Sequence, residues 1–194
     1  MKQSLVILIM TIATTAYSQD FDALSLKLER YLDESVAARQ SVMSTMRQFG
    51  FESRQMDSIN HMINFRDSLH LNFVINVISD YGWLGISQIG KKANSSIFLA
   101  VNQAPNDGVR MTYYPLLEES ALANESSQSE MALMKDRILV DQKIPQEYGT
   151  QWNYEGELEV LFPISEPSKV NKKRELVGLP KLADRDIVNA QQSY

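Results

Sequence analysis

Residues 127–162 read SQSEMALMKDRILVDQKIPQEYGTQWNYEGELEVLF, and this run holds both kinds of secondary structure expected in the chain. Ser127 and Glu130 have the spacing of a capping box, in which the hydroxyl accepts the N–H three residues on. They open a helix expected to reach about Val140. Pro145 cannot continue a helix. Beyond it, residues 148–154 and 157–162 flank a Glu155-Gly156 turn. Leu158, Val160 and Phe162 alternate there with Glu157, Glu159 and Leu161, the two-residue period of a strand. A β-hairpin is therefore expected at about 148–162.

Upstream of this run the apolar spacing is helical. A helix at about 109–124 contains Pro115, which must kink it or lie in its first turn. Before it, a short helix at about 94–104 is apolar all round from Ile97 to Val101 and should be buried. Pro105-Asn106-Asp107-Gly108 breaks it. The helix from about Ser53 to Gly82 carries Ile59, Ile63, Val74, Val77, Ile78 and Tyr81 on one stripe and Leu69 and Phe73 on the other side, which marks it as the central, most buried helix. Phe21, Leu24, Leu28, Leu32, Val36, Met43 and Met46 define a first helix with a weak turn at Arg39, closed by Gly50. Downstream of the hairpin, short helices are expected at about 168–177 and 181–191, divided by Gly178-Leu179-Pro180. The expected fold is mainly α, in the α+β class. It is one compact multi-helix domain over 19–194 with a small β-hairpin near its C-terminal third.

The chain starts Met-Lys-Gln, continues with an apolar run from Leu5 to Ala13, and places small residues at Ala16 and Ser18. That is the layout of a cleavable secretory signal over 1–18. The other reading, a membrane anchor, needs about 20 apolar residues, and Thr11, Thr14 and Thr15 interrupt the run. Export to the periplasm or the medium is expected, with no membrane span after cleavage. There is no cysteine among the 194 residues, so neither a lipid-modified leader cysteine nor a disulfide can form.

A net charge of −5 with 44% hydrophobic residues describes a folded globule rather than a disordered tail. It also argues against nucleic acid, whose phosphates call for clustered basic residues. The basic group Lys169, Lys172, Lys173 and Arg174 is expected to be a solvated face. No G-x-S-x-G, H-E-x-x-H, P-loop or Rossmann glycine pattern occurs, and no cofactor is expected.

Two sets of residues could carry chemistry. Asp67 and His70, at i and i+3, share the apolar face of the second helix with Ile63, Val74 and Val77, where both should be desolvated and hydrogen-bonded to each other or to neighbours. They read either as a carboxylate-oriented general base or as a satisfied core pair. A metal site is not expected, because the other histidine, His61, is nine residues away, about 180° round the helix. The second set is Asp136, Arg137, Gln146, Tyr148, Thr150 and Gln151. In strand geometry Tyr148, Thr150 and Trp152 would face one way and Gln151 the other. These residues could line a polar pocket for an unknown small ligand or protein partner, or form a buried polar network.

The stretch 67–179, with Gly82-Trp83, Gly90, Asp136-Arg137, Gln146-x-Tyr148-Gly149-Thr150-Gln151, Val170-Asn171-x-x-Arg174 and Gly178-Leu179, resembles a bacterial family known as domain of unknown function 6624. The resemblance implies helices plus a small hairpin and carries no established activity. Members typically show Gln-His-Ala-Asp where this chain has Asn102-Gln103-Ala104-Pro105. If the missing histidine and carboxylate do chemistry in relatives, the departure implies a binding-only or inactive version, with Asp107 as a partial substitute. Two functions follow as expectations: a binding or interaction module with a polar pocket near the hairpin, or a hydrolase-like enzyme using Asp67 and His70 with Arg137 and Tyr148 as charge stabilisers.

Overall fold

A computed structural model describes residues 2–155 and 158–190, with side chains over 21–153 and 159–190. The side chains of the leader-like segment 1–18 lie outside the described residues. The chain is mainly helical with one small antiparallel hairpin. Contacts divide it into two compact units, Met1–Ala100 and Val101–Tyr194.

The first unit contains α1 (Lys2–Phe49), α2 (Arg54–Tyr81) and most of α3 (Ile86–Asn102). Gly50, at φ 84°, ends α1 in a left-handed conformation that costs glycine little. Ser53 caps α2 by accepting the Met56 N–H at 3.2 Å, as its place before the apolar pattern implies. α1 and α2 then run antiparallel, with Phe21 against Tyr81 and Tyr31 against Phe73. The expected weak turn at Arg39 is absent, since α1 is helical through it.

α2 is not the most buried helix. Only Met56, His70, Val74, Val77 and Ile78 are buried on it, while Phe65 is 62% and Leu69 46% exposed. Apolar spacing counts the stripes of a helix, but burial needs a neighbour opposite each one, and among the described residues none covers Phe65 and Leu69 enough to bury them. The buried helix is α3, whose Ala93, Asn94, Ser96, Ile97, Phe98, Ala100 and Val101 are all enclosed. It begins earlier than expected, at Ile86, and bends at Gly90, where φ is 79°.

The second unit pairs α4 (Asp107–Leu122) with α5 (Gln128–Asp141). Pro115 lies inside α4 rather than in its first turn. Ser127 caps α5 and accepts the Glu130 N–H at 3.3 Å. The hairpin is shorter than its sequence signal: β1 (Trp152–Glu155) pairs with β2 (Leu158–Leu161) in the register Trp152 with Leu161 and Asn153 with Val160. Tyr148 to Gln151 form no strand. α6 (Val170–Leu176) and α7 (Asp184–Asn189) follow. Leu161, Ile164, Val170 and Ala190 make a small core with Leu182 and Ile187 packed on it. Among the described residues no helix is long and apolar enough to cross a membrane.

Candidate functional site

α5 presents two consecutive charged residues to two different environments. Asp136 is wholly buried, and its carboxylate accepts the N–H groups of Glu147 at 2.7 Å, Tyr148 at 3.0 Å and Thr150 at 3.0 Å, and the Thr150 hydroxyl at 3.0 Å. These four donors bend residues 147–150 into a loop, which is why the strand expected there does not form: their amides answer to a side chain instead of a ladder. Burial pushes the Asp136 carboxyl above its usual range, and the donors oppose that shift.

The rest of the loop is held as firmly. Gln146, also wholly buried, donates to the carbonyls of Gln151 at 3.0 Å and Phe162 at 2.7 Å and accepts the Gln151 N–H at 2.8 Å. Gln151 donates to the Thr150 hydroxyl at 3.0 Å and the Leu133 carbonyl at 3.4 Å. Arg174 closes the arrangement by donating to the carbonyls of Tyr148 at 2.7 Å, Gly149 at 2.9 Å and Pro180 at 2.6 Å. Arg174 is buried, which corrects the solvated face expected for it, whereas Lys169 and Lys172 of the same basic cluster are exposed. Gly149 has φ 66°, and a Cβ there would lie 2.7 Å from a Leu182 methyl.

Arg137 points elsewhere. It is half-buried and makes no hydrogen bond or ion pair among the described residues. Burial first, and then the charge of Arg110, hold its guanidinium below the usual range, against the pull of Asp141. Arg110, on α4, is 4% exposed. It donates to the Ala104 carbonyl and pairs with Asp141 at 2.6 Å, but its Nε is buried with no partner. Asn102, at the end of α3, has a buried amide oxygen that is likewise unpaired. The charged neighbours of Tyr148 are Glu147, Lys135, Asp136 and Lys173. Lys135 and Arg137 stand about 200° apart round the helix, so Tyr148 and Arg137 meet different sets of charges. The structure thus gathers Gln146, Tyr148, Thr150 and Gln151 in one loop, three of whose amides and one of whose hydroxyls bind Asp136 of α5, and leaves Arg137 with Arg110 and Asp141.

In the first unit, Asp67 and His70 do not hydrogen-bond to each other. Asp67 pairs with Arg39 at 2.6 Å and accepts from Ser35 at 3.4 Å. His70 is 3% exposed, stacks on Tyr31 with ring centres 4.8 Å apart, and meets the Ser96 hydroxyl through Nε2 at 2.9 Å. Burial lowers its pKa to about 4, although Asp67 pulls the other way. Among the described residues no group of three or more His, Cys, Asp or Glu could hold a metal ion.

Sequence reasoning passed over Arg110, Arg39 and Ser96. Arg110 had a legible signal: it shares the stripe of Tyr114, Leu117 and Ala121, a charge on a helix face that is otherwise core.

A family model of unknown function, DUF6624, matches residues 27–192. The chain belongs to that family. No curated protein and no solved structure matches it. For this DUF6624 chain the site must therefore be read from its own chemistry, and the contrast between a saturated Asp136 and an unpaired Arg137 is the clearest feature it offers.

Proposed function

We propose that this chain is a binding module that takes a small acidic ligand on the face of α5 carrying Arg137. The observation behind this reading is the Arg137 guanidinium, half-buried and unpaired, beside an Arg110 whose Nε is buried without a partner. An unpaired buried donor costs about 1–3 kcal/mol, and the two positive charges repel. A carboxylate or phosphate at Arg137 offsets that repulsion, and its oxygens match the planar fork of arginine. In this reading Arg137 touches the ligand, while Asp136, Gln146, Tyr148, Thr150 and Gln151 hold the loop that leads into the hairpin.

The alternative, a hydrolase with His70 as base, has less support. Asp67 is engaged by Arg39 and Ser35, and a histidine with a pKa of about 4 is a weak base at neutral pH. Tyr148 and Arg137, its two charge stabilisers, answer to different charges.

Thermal melts with succinate or inorganic phosphate, at constant ionic strength, test the binding reading. A ligand of the folded state raises the melting temperature with concentration. Arg137→Lys should weaken that response while the unliganded melting temperature stays put. No response from the wild type, or a drop of several degrees in the unliganded variant, would end it. The same proposal has the chain exported, on its leader-like start alone. Intact mass of protein recovered outside the cytoplasm should then begin near Gln19, and finding only full-length cytoplasmic chain would count against export.

A further inference from the structure

We propose that the cleft beside His70, between α1 and α2, is a second binding site, for a small uncharged ring compound carrying one O–H or N–H donor. Ser96 is wholly buried, and its hydroxyl has a single hydrogen. That hydrogen goes to the Leu28 carbonyl at 2.6 Å, which can only accept. Facing His70 Nε2 at 2.9 Å, the Ser96 oxygen must therefore accept in turn. Nε2 carries the proton, and Nδ1 is left with a bare lone pair.

No described residue donates to Nδ1, and it is not among the fully buried polar atoms without a partner. His70 is one of the residues that line the cleft. This cleft has a volume of about 200 Å³ and is walled by Tyr31, Phe65 and Leu69 on the apolar side and by Glu34, Ser35, Arg66 and Asp67 on the polar side. An apolar cavity of about 150 Å³ is enough to hold benzene. Phe65 and Leu69, the large side chains that α2 leaves exposed, flank it.

The charge pattern selects an uncharged guest. Asp67 is already neutralised by Arg39 at 2.6 Å, and Glu34 and Arg66, both exposed at the cleft, carry opposite charges, so the wall has no net charge to favour an ion of either sign. Burial keeps the imidazole neutral above a pKa of about 4, so it attracts no anion. Against that balanced wall, the Nδ1 acceptor beside the apolar side chains fits the hydroxyl of a phenol or the N–H of an indole.

The test uses the full chain labelled with ¹⁵N-histidine. Before any ligand is added, the His70 resonances should show the tautomer protonated at Nε2. Phenol should then shift the Nδ1 resonance saturably and bind about tenfold more tightly than benzene, the advantage of one hydrogen bond of about 1.4 kcal/mol. Benzoate, charged but of similar shape, should bind more weakly than phenol. His70→Phe should abolish the preference for phenol over benzene. If that variant does not fold, Leu69→Glu, on an exposed wall position, should weaken phenol and benzene alike. Equal affinity for phenol and benzene in the wild type, an unmoved Nδ1 resonance, or a resting tautomer protonated at Nδ1 would each overturn the proposal.

Discussion

Asp136 and Arg137 are neighbours in sequence, one turn from the end of the same helix, yet one is saturated and the other is bare. Asp136 gathers four donors from one loop, whereas Arg137 has none of its donors matched among the described residues. The difference separates two meanings of a half-buried or buried charge. A charge whose partners all come from its own chain fixes that chain's shape. One held near the interior without partners is available to something else, because native structures rarely leave such groups unanswered. His70 falls between the two, with Nε2 engaged and Nδ1 free.

The comparison breaks first at Asp136. Asp136→Ala leaves three amides and a hydroxyl without an acceptor, so a loss of at least about 3 kcal/mol is expected, read as a shift in the urea midpoint. A loss below about 1 kcal/mol would mean that water replaces the carboxylate and the loop is no strut.

A pH titration of stability should show an effect of nearly the same size at His70. Its folded pKa, about 4, lies below the ordinary 6.5, so the unfolded chain binds the proton more readily. The stabilisation is fully present above pH 6.5 and is lost as pH falls towards 4, by up to about 3 kcal/mol. His70→Gln should flatten that window, and a wild-type curve already flat between pH 6.5 and 4 would show the imidazole to be solvated.

Gly149→Ala sharpens the loop side at a smaller scale. The positive φ and the 2.7 Å approach to Leu182 predict a cost of about 1–3 kcal/mol, measurable by thermal melting. The smallest expected effect belongs to Arg137→Gln, which should change unliganded stability by less than about 0.5 kcal/mol and yet remove the response to succinate or phosphate. A large loss of stability there would put Arg137 in the same class as Asp136.

Much of the fold was legible in the chain because its signals are local. Ser53 and Ser127 mark the helix starts they cap, and Gly50 and Gly82 mark the ends, since each acts on groups within four residues. The hairpin was legible as a turn with alternation, but its first strand was drawn too long. Residues 148–151 carry strand-like composition, and the acceptor that bends them lies on α5, more than ten residues upstream.

The candidate site was legible only in part. A polar residue on an apolar stripe announces burial, and so Asp67 and His70 stood out. Their partners did not. Asp67 meets Arg39 on α1, His70 meets Ser96 on α3, and Arg174 reaches the carbonyls of Tyr148 and Gly149. Sequence by itself therefore determined the mainly helical class, the caps, the hairpin turn and the enclosure of some polar residues such as His70, because propensity and periodicity act over a few residues. Only the tertiary structure decided which of those residues would be satisfied and which left open, because a hydrogen bond's energy depends on sub-ångström distance and angle between groups tens of residues apart, and no local pattern encodes that.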